Sequence, residues 1–297
     1  MTVLKQSKPD LPEMTYPALF VCADRASTVM QRHFLVLIVL EYGLLVLAAL
    51  LASSSYLASY AMVLVAALIV MTWRSLWKPE QEWYRSRALA ESVKTSTWRY
   101  VMRAKPFANA DPGKAKAAFR SYLTEVLAMN AGIGALAVGI EQAGKHTTDE
   151  METVRAADWQ TRRDYYLKER IDNQLTWYKK KTGYNRYHSG LWVAFAGTVY
   201  AVAIGLAIYR PADPAMFTKW PIEPLLVVAA AIIGWSHIKK FNELASVYTL
   251  TALEVQLIHE KTKDVDQEEE LPLFVNEAEL AFSREHTQWV ARQVNQY

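Results

Sequence analysis

The stretch FLVLIVLEYGLLVLAALLA, residues 34–52, decides the fold, because Glu41 is its only charged residue. A helix needs about 20 mostly apolar residues to cross the hydrocarbon core of a bilayer, which is about 30 Å thick. Helices buried in soluble proteins rarely run this long without a charged face, so a soluble core of buried helices is the less favoured interpretation. Residues 34–52 therefore predict a transmembrane helix.

Three further apolar stretches lie along the chain. They read YLASYAMVLVAALIVMTW at residues 56–73, LWVAFAGTVYAVAIGLAIY at 191–209, and a shorter one at 222–238 that contains LLVVAAAIIGWSHI. Short connections join the first to the second and the third to the fourth, so each pair predicts a hairpin. The fourth crosses the membrane only if residues 220–224 lie at the interface.

Lysines and arginines near the ends of the spans predict their orientation. The loop of the first hairpin has none, and the loop of the second has Arg210 and Lys219, offset by Asp213 and Glu223. The opposite side of the two hairpins is rich in basic residues: Arg25, Arg32, Arg74, Lys78, Arg85, Arg87, Lys179, Lys180, Lys181, Arg186, Lys239 and Lys240. We therefore expect both termini in the cytoplasm.

Five of these basic residues flank the second hairpin closely: Lys179, Lys180, Lys181, Lys239 and Lys240. Beside a span, attraction to anionic lipid headgroups is worth about 1 kcal/mol per basic residue. A nucleic-acid patch is the less favoured interpretation, because the formal net charge is only +3. We expect a lipid bilayer, and no nucleic acid, as a partner.

The rest of the chain predicts a cytoplasmic helical bundle, which makes the fold class all-α and integral membrane, with four transmembrane helices in two hairpins. Residues 1–17 are expected to be a flexible cytosolic tail. Residues 130–144 are rich in Gly and Ala and predict either a close-packed helix or a joint. The expected cytoplasmic helices cover residues 83–105, 114–129, 149–185, 239–263 and 274–296, with a break at the acidic run 264–270 and Pro272.

The order of elements repeats, which predicts two modules at residues 18–147 and 148–297. In each, a charged helix leads into a hairpin, an amphipathic helix leaves it, and a further helix follows a proline-containing break. At an offset near 155, Leu89 and Ala90 correspond to Leu244 and Ala245, and Phe119 corresponds to Phe274. Both hairpins face the same way, as in parallel repeats. Such a pair suits a ring-like assembly.

Two stretches next to the hairpins resemble the SLATT-domain family of bacterial two-transmembrane effectors. They are EWYRSRALAESVKTSTWRYVMRAKPF at residues 82–107 and RIDNQLTWYKKKTGYN at 170–185. The resemblance covers most of the chain, as two modules in tandem. It implies a pore-forming effector of a prokaryotic conflict system in the inner (cytoplasmic) membrane, encoded beside nucleotide-signal synthetases or nucleotide sensors. The chain has no recognisable sensor domain, so we expect a nucleotide-sensing or signalling partner to supply the trigger.

Glu41 is the strongest candidate for a functional side chain, because an unpaired carboxylate inside a span costs several kcal/mol. It either lines an ion pathway or ties helices together, through Ser59, Tyr60 or the Tyr200 of a neighbouring chain. When the hairpins are aligned from their first residues, Thr198 corresponds to Glu41. A ring would then alternate Glu and Thr along its pore, which favours cations.

Other candidates in the second hairpin are weaker. His237, near the cytoplasmic end of the fourth span, is either an interfacial residue or a gating residue. Gly197, Ala201 and Gly205 form a stripe of small residues, which predicts a helix-packing face.

The sequence contains no phosphate-binding loop, nucleophile elbow or kinase motif, so we do not expect an enzyme. Six scattered histidines and the single cysteine, Cys22, predict no metal site, and no cofactor is expected. The favoured function is a homo-oligomeric pore or ion channel. The alternative is a non-conducting membrane scaffold or adaptor that recruits cytosolic partners. A small transporter is less favoured, because four spans per chain are few for one.

Overall fold

The computed structural model describes residues 11–52, 56–142, 144–209 and 222–294. No strand occurs among these residues, and the all-α prediction is confirmed. The α-helices are α1 (Ala18–Leu51), α2 (Leu57–Trp77), α3 (Pro79–Val101), α4 (Pro112–Met129), α5 (Asp149–Ala156), α6 (Trp159–Tyr166), α7 (Asn173–Tyr209), α8 (Ile222–Lys239), α9 (Phe241–Lys261) and α10 (Glu270–Val294). Shorter helical turns of other types cover Gly134–Gln142, Leu167–Asp172 and Thr262–Asp264.

Four continuous helical runs are long and apolar enough to cross a membrane, and each contains one predicted span. They are Ala18–Leu51, Leu57–Val101, Trp159–Tyr209 and Ile222–Asp264. In the most apolar part of each run, only 6–17% of the residues are buried within the chain. Apolar side chains therefore face outwards, as expected for helices solvated by lipid. The predicted hairpin loops at 53–55 and 210–221, with Arg210, Asp213 and Lys219, lie outside the described residues.

The described residues fall into two compact units. The polar helical unit takes its residues from Met1–Gln31, Glu80–Thr176 and Thr251–Tyr297, and the apolar helical unit from Arg32–Pro79 and Trp177–Leu250. Each unit contains residues from both predicted modules. The two halves of the sequence are therefore interleaved in space.

The same backbone conformation ends both hairpins. Lys78 (φ 51°) follows α2, and Lys240 (φ 50°) separates α8 from α9. A non-glycine residue in this left-handed region stops one helix and lets the next begin in a new direction. The two lysines stand 162 residues apart, a larger offset than the value near 155 in the sequence, because the second hairpin has the longer loop. At the new offset, Val93 corresponds to Val255, and both are buried.

The predicted helix at 149–185 is wrong, because the chain turns between α5 and α6. Asp158 caps α6: its carboxylate accepts hydrogen bonds from the Thr161 amide (2.9 Å) and from the Thr161 hydroxyl (2.7 Å). Such a cap stabilises a new helix start, with the capping residue itself in an extended conformation. The helix that enters the third span begins at Trp159 and continues to Tyr209.

The predicted break before the last helix is present at residues 262–269, but Pro272 does not belong to it, because Pro272 lies inside the first turn of α10. Proline is tolerated there, since the amide that it lacks would have no partner in the helix. The carboxylate of Glu270 accepts hydrogen bonds from the amides of Asp266 (2.9 Å) and Gln267 (3.1 Å) and fixes this start. The predicted helix at 83–105 is shifted as well: α3 begins at Pro79 and ends at Val101.

Residues 11–17 are not the flexible tail that the sequence predicts. The Tyr16 hydroxyl accepts a hydrogen bond from the Trp98 indole (3.0 Å), and the Pro12 carbonyl accepts one from Tyr165 (2.8 Å). The Thr15 carbonyl accepts another from the Thr148 hydroxyl (3.0 Å). These bonds dock the segment on the polar helical unit; residues 1–10 of the predicted tail lie outside the described residues.

Two buried arginines hold the segment that follows α3. Arg155 donates hydrogen bonds to the carbonyls of Tyr100, Phe107 (3.0 Å) and Asn109 (3.1 Å). Arg162 donates to the carbonyl of Met102 (3.1 Å) and to Glu268 (3.0 Å).

Each guanidinium carries several donors, so each of these arginines bonds to backbone carbonyls at the end of α3 or in the loop after it. Burial lowers the pKa of Arg162 to about 10, a value that still leaves its guanidinium charged at neutral pH. The two arginines therefore act as charged, multidentate clamps on irregular backbone.

A third buried arginine forms an ion pair in the core. Arg170 and Glu279 are 2% and 0% exposed and make two hydrogen bonds of 2.9 and 2.8 Å. The hydroxyl of Tyr166 donates to the same carboxylate (2.9 Å), and burial followed by Glu279 raises the pKa of this tyrosine well above its usual value. Burial lowers the pKa of Arg170, but Glu279 outweighs burial and the net pKa is raised. Arg170 therefore stays charged.

Replacing Glu279 with glutamine (Glu279→Gln) should lower the free energy of unfolding by about 3–5 kcal/mol, because Arg170 would keep a buried charge without its counterion. Chemical denaturation of the purified protein in detergent micelles measures this change. The matched control is Asp149→Asn, which breaks the exposed Lys145–Asp149 pair and should cost less than about 1 kcal/mol. Equal losses in the two variants would contradict the role given to the buried pair.

Candidate functional site

An ion pair joins α1 to α2 in the apolar helical unit. The Arg74 Nε atom donates to Glu41 Oε2 at 3.1 Å, and the two side chains are 22% and 16% exposed. Glu41 lies midway along the predicted first span, and Arg74 lies in the last turn of α2. A charge in hydrocarbon is costly unless it is paired, so this contact offsets the cost of both groups.

Arg74 is a different partner from those that the sequence suggests. Neither Ser59 nor Tyr60 makes a hydrogen bond to Glu41 among the residues that the structure describes. Arg74 stands out in the sequence as a basic residue shortly before Lys78. It was used there only to predict the orientation of the hairpin, and not as a partner of Glu41. A long arginine side chain can reach along the hairpin from the end of α2 towards the middle of α1.

Tyr42, the neighbour of Glu41, packs closely against the second hairpin. A Cβ atom at Gly234 of α8 would overlap the Tyr42 hydroxyl and would lie 3.0 Å from Cζ of the same ring. Only glycine leaves room for the ring at this position. This contact therefore joins α1 to α8 inside the unit, one residue away from the ion pair.

Helices α7 and α8 pack through a small apolar core. Ala196 and Val199 of α7 contact Ala229 and Ile232 of α8, and the surrounding side chains of Trp192, Leu225 and Val228 complete the cluster. The predicted packing stripe of Gly197, Ala201 and Gly205 lies on another face of α7 and is exposed. A Cβ at Gly197 or Gly205 would meet nothing within 4 Å. Within the chain the buried face of α7 is the neighbouring one, and the role of this stripe in helix packing stays a prediction.

Thr198 lies on the exposed side of α7. Its hydroxyl donates to the Ala194 carbonyl of the same helix (2.9 Å), and no hydrogen bond joins it to Glu41. This bond satisfies the hydroxyl in an apolar environment while one lone pair remains available. The correspondence of Thr198 with Glu41 in an assembled ring stays a prediction.

Two family models match the chain, one for each half. The model described as SMODS and SLOG-associating 2TM effector domain 3 matches residues 17–163, and the one described as domain 1 matches residues 166–289. The chain belongs to this SLATT family. Each match contains one of the two hairpins, so the chain is a tandem of two SLATT modules. No match was found among curated proteins or solved structures.

Two of the basic residues of the SLATT chain next to the second hairpin lie beside aromatic rings. Lys179, Lys180 and Lys181 are exposed, and the Lys181 ammonium lies 5.7 Å from the ring centres of both Trp177 and Tyr184. The ammonium of Lys239 lies 5.6 Å from the ring centre of Trp235. Pairs of lysine and aromatic side chains are typical of the interface between membrane and water.

His237 is exposed in the last turn of α8. It makes no hydrogen bond or ion pair with a described residue, and its predicted interfacial or gating role stays a prediction. In the described part of this SLATT chain, no group of three His, Cys, Asp or Glu residues could hold a metal ion.

A valine at position 234 (Gly234→Val) should lower the free energy of unfolding by about 1–3 kcal/mol, because its side chain would collide with Tyr42. Unfolding of the SLATT chain in detergent micelles, followed by circular dichroism, measures the change. Gly205→Val is the matched control, since it introduces the same side chain into open space in α7. Adding Tyr42→Leu should restore stability to Gly234→Val, and failure of this rescue would contradict the contact.

Proposed function

We propose that this chain assembles into a homo-oligomeric pore in the inner membrane of a prokaryote and acts there as the effector of a defence or conflict system. The family match and the four apolar helices support a membrane effector, and the pore is our extension of them. In this proposal both termini lie in the cytoplasm and a signalling partner supplies the trigger. The chain acts by assembly and ion conduction, and not as an enzyme.

The ion pair of Glu41 and Arg74 is the observation that carries the proposal. Ionisable groups inside spans are rare and face a bundle interior or a water-filled path. Glu41 keeps one carboxylate oxygen that is not bonded to a described residue, and its side chain is 16% exposed. A water-filled pathway along this face would meet a negative and a positive group side by side.

The exposed faces of the chain support assembly into an oligomer. On α7, Gly197, Ala201 and Gly205 leave an open groove in which another helix can approach closely. The polar helical unit also exposes four large leucines on α9 and α10, each with 53–62% of its surface accessible: Leu253, Leu257, Leu273 and Leu280. Apolar side chains of this size are favourable in a contact with a second copy.

The exposed lysines and interfacial aromatic residues support the orientation. Lys179–Lys181 and Lys239 lie at the ends of the second hairpin that the sequence assigns to the cytoplasm. Anionic lipids of the inner leaflet attract such residues. This arrangement would hold the end of the second hairpin at the surface where a cytosolic trigger acts.

Two substitutions at the ion pair should change ion selectivity in opposite directions. In Glu41→Gln the charge of Arg74 is uncompensated and the pore should favour anions; in Arg74→Gln the charge of Glu41 is uncompensated and the pore should favour cations. We expect each permeability ratio to change about fivefold or more, since a unit charge near a pathway contributes ~1 kcal/mol or more. Reversal potentials in planar bilayers under a salt gradient measure the ratios.

Arg85→Gln is the matched control, because it removes one charge from an exposed position on α3 outside the predicted spans. It should leave the permeability ratio unchanged. Shifts of the same sign in both ion-pair variants would remove Glu41 and Arg74 from the pore wall. No conductance from the wild-type chain, in bilayers or in cells, would contradict the pore.

A non-conducting membrane scaffold is the second candidate. The Arg74–Glu41 contact also fits a scaffold, because holding α1 against α2 is a sufficient role for a paired carboxylate and needs no ion pathway. In that case the exposed leucines of α9 and α10 would recruit a cytosolic partner. A stable wild-type oligomer without conductance would support the scaffold.

Charged substitutions on the exposed leucines should weaken the oligomer. The double variant Leu253→Glu/Leu257→Glu places two like charges on one face of α9, and we expect the apparent dissociation constant to rise about tenfold or more, because burying such a charge costs over 1 kcal/mol. Mass photometry in nanodiscs, with chemical crosslinking, measures the oligomer. The control is Met129→Glu, at an exposed position of α4. Equal dissociation of the variant and the control would exclude the leucines from the contact.

A further inference from the structure

The polar helical unit contains a cavity of about 480 Å³ that the pore does not use. Its apolar wall consists of Leu19 from the first turn of α1 and of Leu123 and Leu127 from α4. Cavities of this size hold drug-sized molecules. The wall offers an apolar surface to part of such a molecule.

The cavity also has basic lining residues. Arg120, Lys145 and His146 line it, and the lining includes no described Asp or Glu side chain. The guanidinium of Arg120 has no hydrogen bond or ion pair to any described residue. Lys145 pairs with Asp149 (2.9 Å), but both side chains are largely exposed, with accessible fractions of 69% and 83%. Such a pair is weak, and an anionic ligand can compete with it.

A buried hydroxyl in the cavity has no partner. Thr147 is only 7% exposed, lines the cavity, and its Oγ1 makes no hydrogen bond within the described part of the chain. The next residue behaves differently: the Thr148 hydroxyl donates to the Thr15 carbonyl and accepts from the Met151 amide. A buried polar atom without a partner costs about 1–3 kcal/mol, and a hydrogen bond with a guest molecule would offset that cost.

We propose that this cavity is a binding site for an organic anion with an apolar body. The phosphate or carboxylate group contacts Arg120, His146 and the Thr147 hydroxyl, and the body lies on Leu19, Leu123 and Leu127. Such a molecule is either a soluble metabolite or a lipid whose headgroup enters the cavity. Binding requires neither conduction nor assembly, so a failure of the pore proposal would not contradict this site, and a failure of the site would not contradict the pore.

The position of the site gives it access to a membrane helix. Leu19 belongs to α1, which continues without interruption to Leu51 and carries Glu41. The α1 amide of Ala18 donates to the Lys145 carbonyl (3.0 Å), so one cationic residue of the cavity is tied to the start of this helix. A ligand bound here therefore contacts both α1 and the segment that anchors it.

Isothermal titration of the full-length protein in nanodiscs with naphthyl phosphate tests the site. We expect saturable binding, and binding about tenfold or more weaker for naphthol, which lacks the charge, and for inorganic phosphate, which lacks the body. Arg120→Gln should weaken binding of naphthyl phosphate by about tenfold or more, since a hydrogen bond to a charged group is lost. Thr147→Val should also weaken it, because valine keeps the shape and removes the hydroxyl.

Lys114→Gln is the matched control, because it removes one charge from α4 outside the cavity. Its affinity for naphthyl phosphate should equal that of the wild type. No binding to the wild type, or equal losses in Arg120→Gln and Lys114→Gln, would overturn the site. Inorganic phosphate that binds as tightly as naphthyl phosphate would reduce it to a surface anion contact and also overturn it.

A competition experiment distinguishes the two sources of the ligand. Short-chain phosphatidic acid that displaces naphthyl phosphate from the wild type, but not from the nanodisc alone, would identify a lipid headgroup as the ligand. Retention of naphthyl phosphate at saturating phosphatidic acid would identify a soluble anion. Either result identifies the ligand only if naphthyl phosphate binds to the wild type and Arg120→Gln weakens that binding. If these two conditions are not met, the site is rejected.

Discussion

The hydrocarbon interior of a bilayer offers no hydrogen-bond partner, and the apolar half of this structure follows from that constraint. Each backbone amide and carbonyl in a span must be satisfied within its own helix, which leaves helices as the only open-ended spanning element. The same constraint acts on side chains. Glu41 bonds to Arg74, and Thr198 bonds to a carbonyl of its own helix, so each of these two side chains has a hydrogen-bond partner within its own hairpin.

The polar half of the structure solves a related problem with arginines. Between its helices the chain passes through irregular segments, whose carbonyls have no regular partner. Arg155 and Arg162 supply several donors each to these carbonyls, and Arg170 is buried against Glu279. Burial of three guanidinium groups is favourable only because each is bonded on several sides. Hydrogen bonds from charged arginines therefore hold the irregular segments in place, whereas the lack of water in the bilayer forces the spans to be helical.

The parts of the fold that were predicted correctly are those with a strong local signal. Runs of apolar residues predict spans whatever their neighbours are, and the motifs of residues 82–107 and 170–185 indicated the family. The errors fall where a single side chain overrides a pattern: Asp158 caps a helix inside a helical stretch, and Pro272 fits a first turn. Residues 11–17 were misjudged because their partners, Trp98, Thr148 and Tyr165, are distant in sequence.

The sequence by itself determined that the chain is helical, that four segments can cross a membrane, and that the order of elements repeats. These properties depend on composition and periodicity, which act over one helix length. Only the tertiary structure decided that Arg74 pairs with Glu41, that Gly234 admits Tyr42, and that Arg120 and Thr147 line one cavity. Each of these depends on the register between helices. That register is set by the sum of many packing contacts, and no local pattern in the sequence encodes it.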